Sequence, residues 1–186
     1  MALKPQDVMV ALKLCTYASG RPPFSQIALD LGMSPSEVHA AVKRLESAHL
    51  IHGTELKGKP NLSALEEFLL HGVKYAFPAK RGEMTRGVAT SYAAEPLRRQ
   101  ISSGDEPPPV WPYAEGRDRG VSLSPLYKTA PFAALRDPVL YEYLALVDAI
   151  RDGRMRERAL AERGLIQRLQ KLPQKLNGKS NPGTSH

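Results

Sequence analysis

A sharp turn followed at once by a helix start lies early in the chain. Gly32 accepts the left-handed backbone conformation that ends a helix abruptly. Two residues later, Ser34-Pro35-Ser36-Glu37 has the pattern of a capping box, with the serine as cap, the proline in the first turn and the glutamate reaching back. Apolar residues recur at helical spacing on both sides of this turn. The segment therefore predicts two short helices joined by a tight turn, which is the helix-turn-helix unit.

Two further helix signals precede this turn. The helix that leads into it is predicted to begin at Ser25, whose hydroxyl can cap free N–H groups, with Phe24 and Leu29 as a hydrophobic staple. An earlier helix is predicted from Pro5 to about Tyr17. The apolar stripes of the three helices are Val8, Ala11, Leu12 and Cys15; then Ile27, Ala28 and Leu31; then Val38, Ala41, Val42 and Leu45.

The stretch of residues 25–38, continued by 42–46 and 50–51, resembles the winged helix-turn-helix family of bacterial regulators. The resemblance covers roughly residues 5–77. It implies a sequence-specific, double-stranded-DNA-binding transcriptional regulator, expected to act as a dimeric repressor. His49 stands where family members often carry glycine, and histidine tolerates a positive φ better than most side chains.

The resemblance makes residues 34–48 the recognition helix, inserted into the major groove. Its face opposite the apolar stripe carries Ser36, Ala40, Lys43 and Ser47, flanked by His39 and Arg44. Lys43 is expected to donate to guanine and Ala40 to touch a thymine methyl group. Ser34 and Ser36 lie near the helix N-terminus, where a phosphate is favoured. The alternative is a solvated face, on which Lys43 and Arg44 only keep the helix soluble.

Residues 52–60 are the implied β-hairpin wing. Lys57 and Lys59 flank Gly58 at its tip and are expected to touch the DNA backbone. A plain loop remains the alternative, since Pro60 keeps the strands short. Ser63-Ala64-Leu65-Glu66 then repeats the capping-box pattern and predicts a helix that ends near Pro78.

Residues 78–125 are rich in Pro, Gly, Ser and Thr, and predict an irregular connecting segment. Arg81 and Arg86 each precede a glycine in this segment. Either arginine could enter a minor groove or bind the carboxylate of a protein partner. The alternative is a surface loop without a binding role.

Residues 126–172 predict a helical hairpin for dimerisation or for docking a partner. Asp137-Pro138 starts the first helix, and Asp152-Gly153 marks the turn into the second. The hairpin could also pack on the first domain. The polar tail, residues 173–186, is predicted to be disordered.

The overall charge favours a polyanionic partner. The 186 residues contain 26 Lys and Arg against 19 Asp and Glu, a formal net charge of +7, and such a surface is typical of nucleic-acid binding. The alternative is that the charge serves solubility alone, and net charge does not separate the two. No apolar run approaches the roughly 18 residues of a membrane span, so we expect a cytoplasmic protein without a membrane partner. A single cysteine, Cys15, excludes an internal disulfide and a cysteine-based metal site.

Catalytic motifs are missing from the sequence. It has no phosphate-cradling glycine loop, no nucleophile elbow and no His-Glu-x-x-His, so we expect neither an enzyme nor a cofactor or metal site. The sequence thus predicts a mostly α fold with an N-terminal winged helix-turn-helix domain (1–77). A second hypothesis is a protein-interaction module, such as an antitoxin that binds its partner through residues 78–171 and regulates its own promoter.

Overall fold

The computed structural model describes residues 2–17, 20–53, 58–102 and 104–177, with side chains described up to residue 172. Within these residues the chain is mostly helical and contains a small three-stranded sheet. The expectation of a mostly α fold is therefore confirmed.

Three helices form the N-terminal part: α1 (Pro5–Leu14), α2 (Phe24–Leu31) and α3 (Pro35–Ser47). Gly32 ends α2 with a φ of 64°, in the left-handed region that glycine tolerates. Ser34 and Glu37 close the predicted capping box of α3. The predicted cap at Ser25 is wrong, because α2 already begins at Phe24 and the side chain of its cap residue, Pro23, makes no hydrogen bond.

A short hairpin base follows α3. Ile51 and Pro60 form an isolated antiparallel bridge, and the amide of His52 donates to the carbonyl of Lys59 at 2.8 Å. The intervening residues 54–57, which include the predicted contact Lys57, lie outside the described part of the chain. Two antiparallel segments thus meet where the wing is expected.

The helix after the hairpin begins earlier than its sequence pattern predicts. Asn61, not Ser63, is the cap of α4 (Leu62–Glu67), since its side chain accepts a hydrogen bond from the amide of Ala64. The helix then continues through a π-helical turn (Phe68–Gly72) into α5 (Val73–Ala76).

The segment predicted to be irregular, residues 78–125, contains a closed three-stranded barrel, so that prediction is wrong. The strands are β1 (Arg81–Ala89), β2 (Pro109–Pro112) and β3 (Asp118–Leu123). β1 is antiparallel to both others, and β2 runs parallel to β3. The strands are short and interrupted by glycine and proline, so they lack the alternation of apolar and polar residues by which strands are recognised.

Buried polar contacts join the barrel to the C-terminal helices. Asp148 is 1% exposed and accepts hydrogen bonds from the indole of Trp111 at 2.6 Å and the hydroxyl of Thr90 at 2.7 Å. Arg151 donates to the other oxygen of the same carboxylate at 2.7 Å. These bonds satisfy a buried charge and fix the barrel on one helix.

The C-terminal helices are α6 (Ala130–Arg136), α7 (Pro138–Asp152) and α8 (Met155–Asn177). Asp137 caps α7 by accepting from the amides of Val139 and Leu140, and α7 and α8 form the predicted hairpin. The backbone of α8 continues to residue 177, into the tail that is predicted to be disordered from residue 173. The rest of that tail, 178–186, lies outside the described residues.

One apolar cluster draws residues from all three predicted segments. It includes Leu12 of α1, Trp111 of β2 and Leu146 of α7. Lys13 of α1 also pairs with Asp137 at 2.8 Å. Residues 1–77, 78–125 and 126–172 therefore share a core. No helix in the described ranges is long and apolar enough to cross a membrane.

Candidate nucleic-acid interface

The outer face of α3 is polar and open to solvent. Ser36, His39, Lys43 and Ser47 are exposed, and Ala40 between them is half-buried. The opposite face is fixed in the core, since Val38, Ala41 and Leu45 are 0% exposed. Lys43 forms no ion pair with any residue that the structure describes. The structure therefore brings together five of the predicted contact residues on one exposed helical face.

The N-terminus of α3 is organised by its own side chains and by a residue from the C-terminal half. The Ser34 hydroxyl accepts from the Glu37 amide at 3.2 Å and donates to the Glu37 carboxylate at 2.8 Å. Tyr127 donates its phenol hydrogen to the other oxygen of Glu37 at 2.6 Å. These bonds, the Tyr127 bond most of all, lower the pKa of Glu37 to about 2. The hydroxyl of Ser34 is thus engaged in the helix cap, whereas the side chain of Ser36 is exposed to solvent.

Arg44 does not lie on the exposed face, and its predicted role in DNA contact is wrong. It is 9% exposed, and its Nε and Nη2 donate to the two carboxylate oxygens of Asp7 at 2.8 and 2.7 Å. Asp7 is 0% exposed. This two-point ion pair joins α1 to α3, and the hydrogen bond raises the pKa of the guanidinium. Arg44 therefore fixes α3 on α1 instead of presenting its charge to solvent.

His39 belongs to an aromatic and basic row at the edge of α3. The centroid of its ring lies 5.4 Å from that of Phe24. The guanidinium of Arg21 lies 4.4 Å from the centroid of the Phe24 ring and forms a cation–π contact with it. The predicted staple between Phe24 and Leu29 is wrong, because Leu29 is 70% exposed. Sequence reasoning missed Arg21 as a residue beside α3, because a positive charge shortly before the start of α2 is all that the sequence shows there.

Helix α6 covers the turn between α2 and α3. A Cβ atom on Gly32 would lie 3.0 Å from the ring of Phe132, so the two are in close contact. Arg136 stacks on that ring at 3.7 Å. Lys128 is exposed, and its positive charge helps to lower the pKa of Glu37. Sequence reasoning missed both cations beside the turn, because they come from a segment about a hundred residues away.

The hairpin base borders a groove of about 400 Å³. Lys59, a predicted wing contact, is exposed and lines this groove together with Lys171 of α8. Cys15 lies in its wall, where burial raises the pKa of the thiol to about 12 and keeps it protonated. Lys59 therefore faces a groove to whose lining no residue of α3 contributes.

The two predicted arginines of the middle segment have different surroundings. Arg81 pairs with Asp152 at 2.7 Å and holds the start of β1 against the end of α7. Arg86 is exposed on β1 and pairs with no acid in the described part of the chain. Of the two, Arg86 alone keeps a charge that is open to a ligand.

The structure offers no metal centre within its described residues. No group of three or more His, Cys, Asp or Glu side chains there could hold an ion. The three neighbouring histidines of the sequence are divided between the face of α3 (His39), its end (His49) and the hairpin (His52).

No family model matches the chain, and neither a curated protein nor a solved structure matches it. The assignment of function therefore depends on the side chains of this protein and on their geometry. The exposed face of α3, the turn covered by α6 and the cations of the barrel are the features that bear on it.

Proposed function

We propose that this protein is a sequence-specific, double-stranded-DNA-binding regulator in which α3 is the recognition helix of a winged helix-turn-helix. The observation that carries the proposal is the outer face of α3. It is exposed along its length, carries an unpaired lysine among the described residues, and is held by a fully buried inner face. A helix so fixed presents its side chains in one orientation, as reading of bases in the major groove requires.

Each residue on that face has a contact suited to its chemistry. Lys43 donates to the O6 and N7 atoms of guanine, and Ala40 packs on a thymine methyl group. Ser36 and Ser47 donate to or accept from either base edges or phosphate oxygens. His39, whose ring is supported by Phe24, lies beside them. Arg44 is not among these contacts.

Backbone contacts would come from cations around the helix. Lys128 and Arg136 lie beside the turn, and Lys59 lies at the hairpin base. Phosphate contacts set the register of a protein on the duplex without reading its sequence. In this arrangement the C-terminal half contributes to DNA binding by flanking the N-terminal end of α3.

The competing hypothesis is a protein-interaction module, such as an antitoxin, that binds its partner through residues 78–171. Within that range, α7 of the helical hairpin offers little for docking, since it buries the run of residues from Tyr143 to Arg151 within this chain. An apolar face that is already covered cannot also dock a second protein without unfolding. A role in protein interaction would need a different surface.

The proposal is tested by selecting duplexes from a random-sequence pool and titrating the recovered duplex by fluorescence polarisation. We expect Lys43→Ala to weaken binding to the selected duplex about 5- to 100-fold, the range for one base contact. Affinity for an unselected duplex should change by much less, because there the variant loses only the attraction of one positive charge to the backbone phosphates.

The matched control is Arg156→Ala, which removes one exposed cation from α8 outside the helix-turn-helix. It should leave binding to both duplexes nearly unchanged. A recovered sequence with two-fold symmetry would support the dimer. The proposal is wrong if no sequence is enriched, or if the two variants weaken binding equally.

A further inference from the structure

Two arginines lie directly opposite each other on the barrel. Arg86 of β1 is in register with Arg119 of β3 in the antiparallel ladder. Residues opposed in this way project from the same face of the sheet, with Cβ atoms about 5 Å apart. Arg117, two residues before Arg119, is also exposed. Three positive charges thus lie close together on one small barrel.

The backbone fixes this pair on the outside of the barrel. Gly87 follows Arg86, and a Cβ atom there would lie 1.9 Å from the carbonyl oxygen of Trp111. Gly120 follows Arg119, and a Cβ atom there would lie 1.9 Å from the carbonyl oxygen of Pro108. Both glycines therefore point inward at β2, where no side chain fits. Since neighbours along a strand point to opposite faces, both arginines point outward.

No described acid neutralises these charges. Arg86, Arg117 and Arg119 form no ion pair or side-chain hydrogen bond with any residue in the described ranges, although other arginines of the chain do. Asp118 lies between two of them in sequence; its carboxylate accepts from the amide of Ala89 and forms no ion pair with a described arginine. Like charges directly opposite each other destabilise a sheet. The pair thus carries a cost in stability that a bound anion would remove.

We propose that Arg86, Arg117 and Arg119 form a second DNA-contact surface, which binds backbone phosphates of the duplex independently of its sequence. The inference rests on the proposed DNA-binding function. Arginine presents a planar fork of donors that matches phosphate oxygens, and a closely spaced set can engage neighbouring phosphates.

A phosphodiester backbone fits this surface better than an acidic polypeptide does. Arg86 and Arg119 stand on strands of a closed barrel, and Arg117 lies directly before β3, so the spacing of the strand pair is fixed before binding, as suits the regular charges of a duplex. On one side of the pair stand the exposed Met84 and the half-buried Val121, and on the other side Val88 is in register with Trp111, both of them already buried within this chain. An interface with a folded partner would normally require a larger apolar centre.

The test measures DNA affinity at several salt concentrations for the full chain and for Arg86→Ala/Arg119→Ala. We expect the double variant to bind selected and unselected duplexes about tenfold more weakly, with equal loss for both. The slope of log affinity against log salt should become shallower by about two units, one for each phosphate contact. The matched control, Arg156→Ala/Arg163→Ala, removes two exposed cations of α8 and should keep the slope.

A second variant separates binding from general charge effects. Arg119→Glu places an acid opposite Arg86, so it should raise the melting temperature by about 1–3 °C while weakening DNA binding. A loss of affinity together with a gain in stability cannot come from unfolding, and it therefore assigns the loss to the missing arginine. A lower melting temperature would overturn the inference.

Each remaining outcome decides the matter. Equal effects of the two double variants, or no effect of Arg86→Ala/Arg119→Ala, would overturn the inference, as would poly-glutamate competing as strongly as duplex at equal charge. If Arg86→Ala/Arg119→Ala weakens DNA binding and Lys43→Ala does not, α3 is rejected as the reading helix and the barrel surface is retained. If Lys43→Ala weakens DNA binding and Arg86→Ala/Arg119→Ala does not, the barrel surface alone is rejected. A wild-type chain that binds no duplex would reject both the DNA-binding function and the barrel surface.

Discussion

Lys43 and Arg44 are neighbours in sequence, yet the structure places them in opposite surroundings. Lys43 is exposed on the outer face of α3, whereas Arg44 is buried against Asp7. A rotation of about 100° between successive helical residues is enough to carry one side chain to solvent and the next to the edge of the core. A variant that removes both cations together would therefore mix loss of contact with loss of stability.

Replacing Arg44 alone should destabilise the protein. Arg44→Ala leaves the fully buried Asp7 carboxylate without its cation, which costs about 3–5 kcal/mol in comparable buried pairs. Chemical denaturation should measure that loss in the free energy of unfolding. Lys43→Ala is the matched neighbour and should change it by less than about 0.5 kcal/mol. A loss below about 1 kcal/mol for Arg44→Ala would argue against a structural ion pair.

The bond between Tyr127 and Glu37 should make stability depend on acidity. The pKa of Glu37 falls from 4.5 to about 2, chiefly through that bond. A lowered folded-state pKa stabilises the fold above the pKa of the unfolded carboxyl group, and the stabilisation is lost as the pH falls through the folded value. Tyr127→Phe removes the donor and keeps the ring.

The unfolding free energies of wild type and Tyr127→Phe should therefore differ most near neutral pH. The difference should shrink as the pH falls from about 5 towards about 2. Denaturant titrations at several pH values measure it. A difference that stays constant with pH would mean that the phenol acts on the fold by some route other than the charge of Glu37.

Among the elements, the helix-turn-helix depends on both local and distant residues. Gly32, Ser34 and Glu37 set the turn and the start of α3, and their signals lie within six residues of one another. Helix α6 then presses Phe132 against the turn. The orientation of α3 is thus set partly by a helix from the other half of the chain.

Adding a methyl group at the turn should test this dependence. Gly32→Ala forces alanine into a φ of 64° and against the ring of Phe132, so we expect a loss of about 1–2 kcal/mol in unfolding free energy. In a Phe132→Leu background the smaller side chain relieves the clash, and the same substitution should cost less. Additive losses in this double-mutant cycle would show that α6 does not press on the turn.

The parts of the fold that could be predicted from sequence are those whose signals are local. The capping box, the glycine turn and the Asp137 cap each involve neighbours in the chain, and all three were predictable. The barrel was not, because its inward positions include Gly87 and Gly120 where an ordinary strand would show apolar residues.

The candidate interface follows the same division. The exposed face of α3 follows from helical periodicity, which placed Ser36, Ala40, Lys43 and Ser47 together. The burial of Arg44 does not, because its partner Asp7 lies 37 residues away on another helix. The pairing of Arg86 with Arg119 likewise depends on a strand register that no local pattern contains.

At the scale of the whole molecule, the shared core joins α3 to the barrel. The polar contacts of Asp148 fix the barrel on α7, and α7 packs on α1. The two proposed DNA-contact surfaces therefore belong to one folded body within the described residues. A duplex that meets both surfaces would be bound with their relative placement already set.

A shared core should unfold in a single step. Trp111, the one tryptophan, reports on the barrel, and Cys15, the one cysteine, reports on the end of α1. Tryptophan fluorescence and thiol labelling across a denaturant series should give the same midpoint. Two separate midpoints would instead indicate that the N-terminal helices and the barrel are independent units.

The most direct test of the account is a missing-contact experiment on a duplex selected by the wild-type protein. Methylation of guanine N7 blocks the major-groove edge that Lys43 is proposed to contact. We expect methylation of one guanine in each site to inhibit binding of the wild type. Methylation of that same guanine should not inhibit binding of Lys43→Ala, whereas interference at every other position should be the same for the two proteins. An interference pattern that is identical for the two proteins would contradict the claim that the outer face of α3 reads DNA.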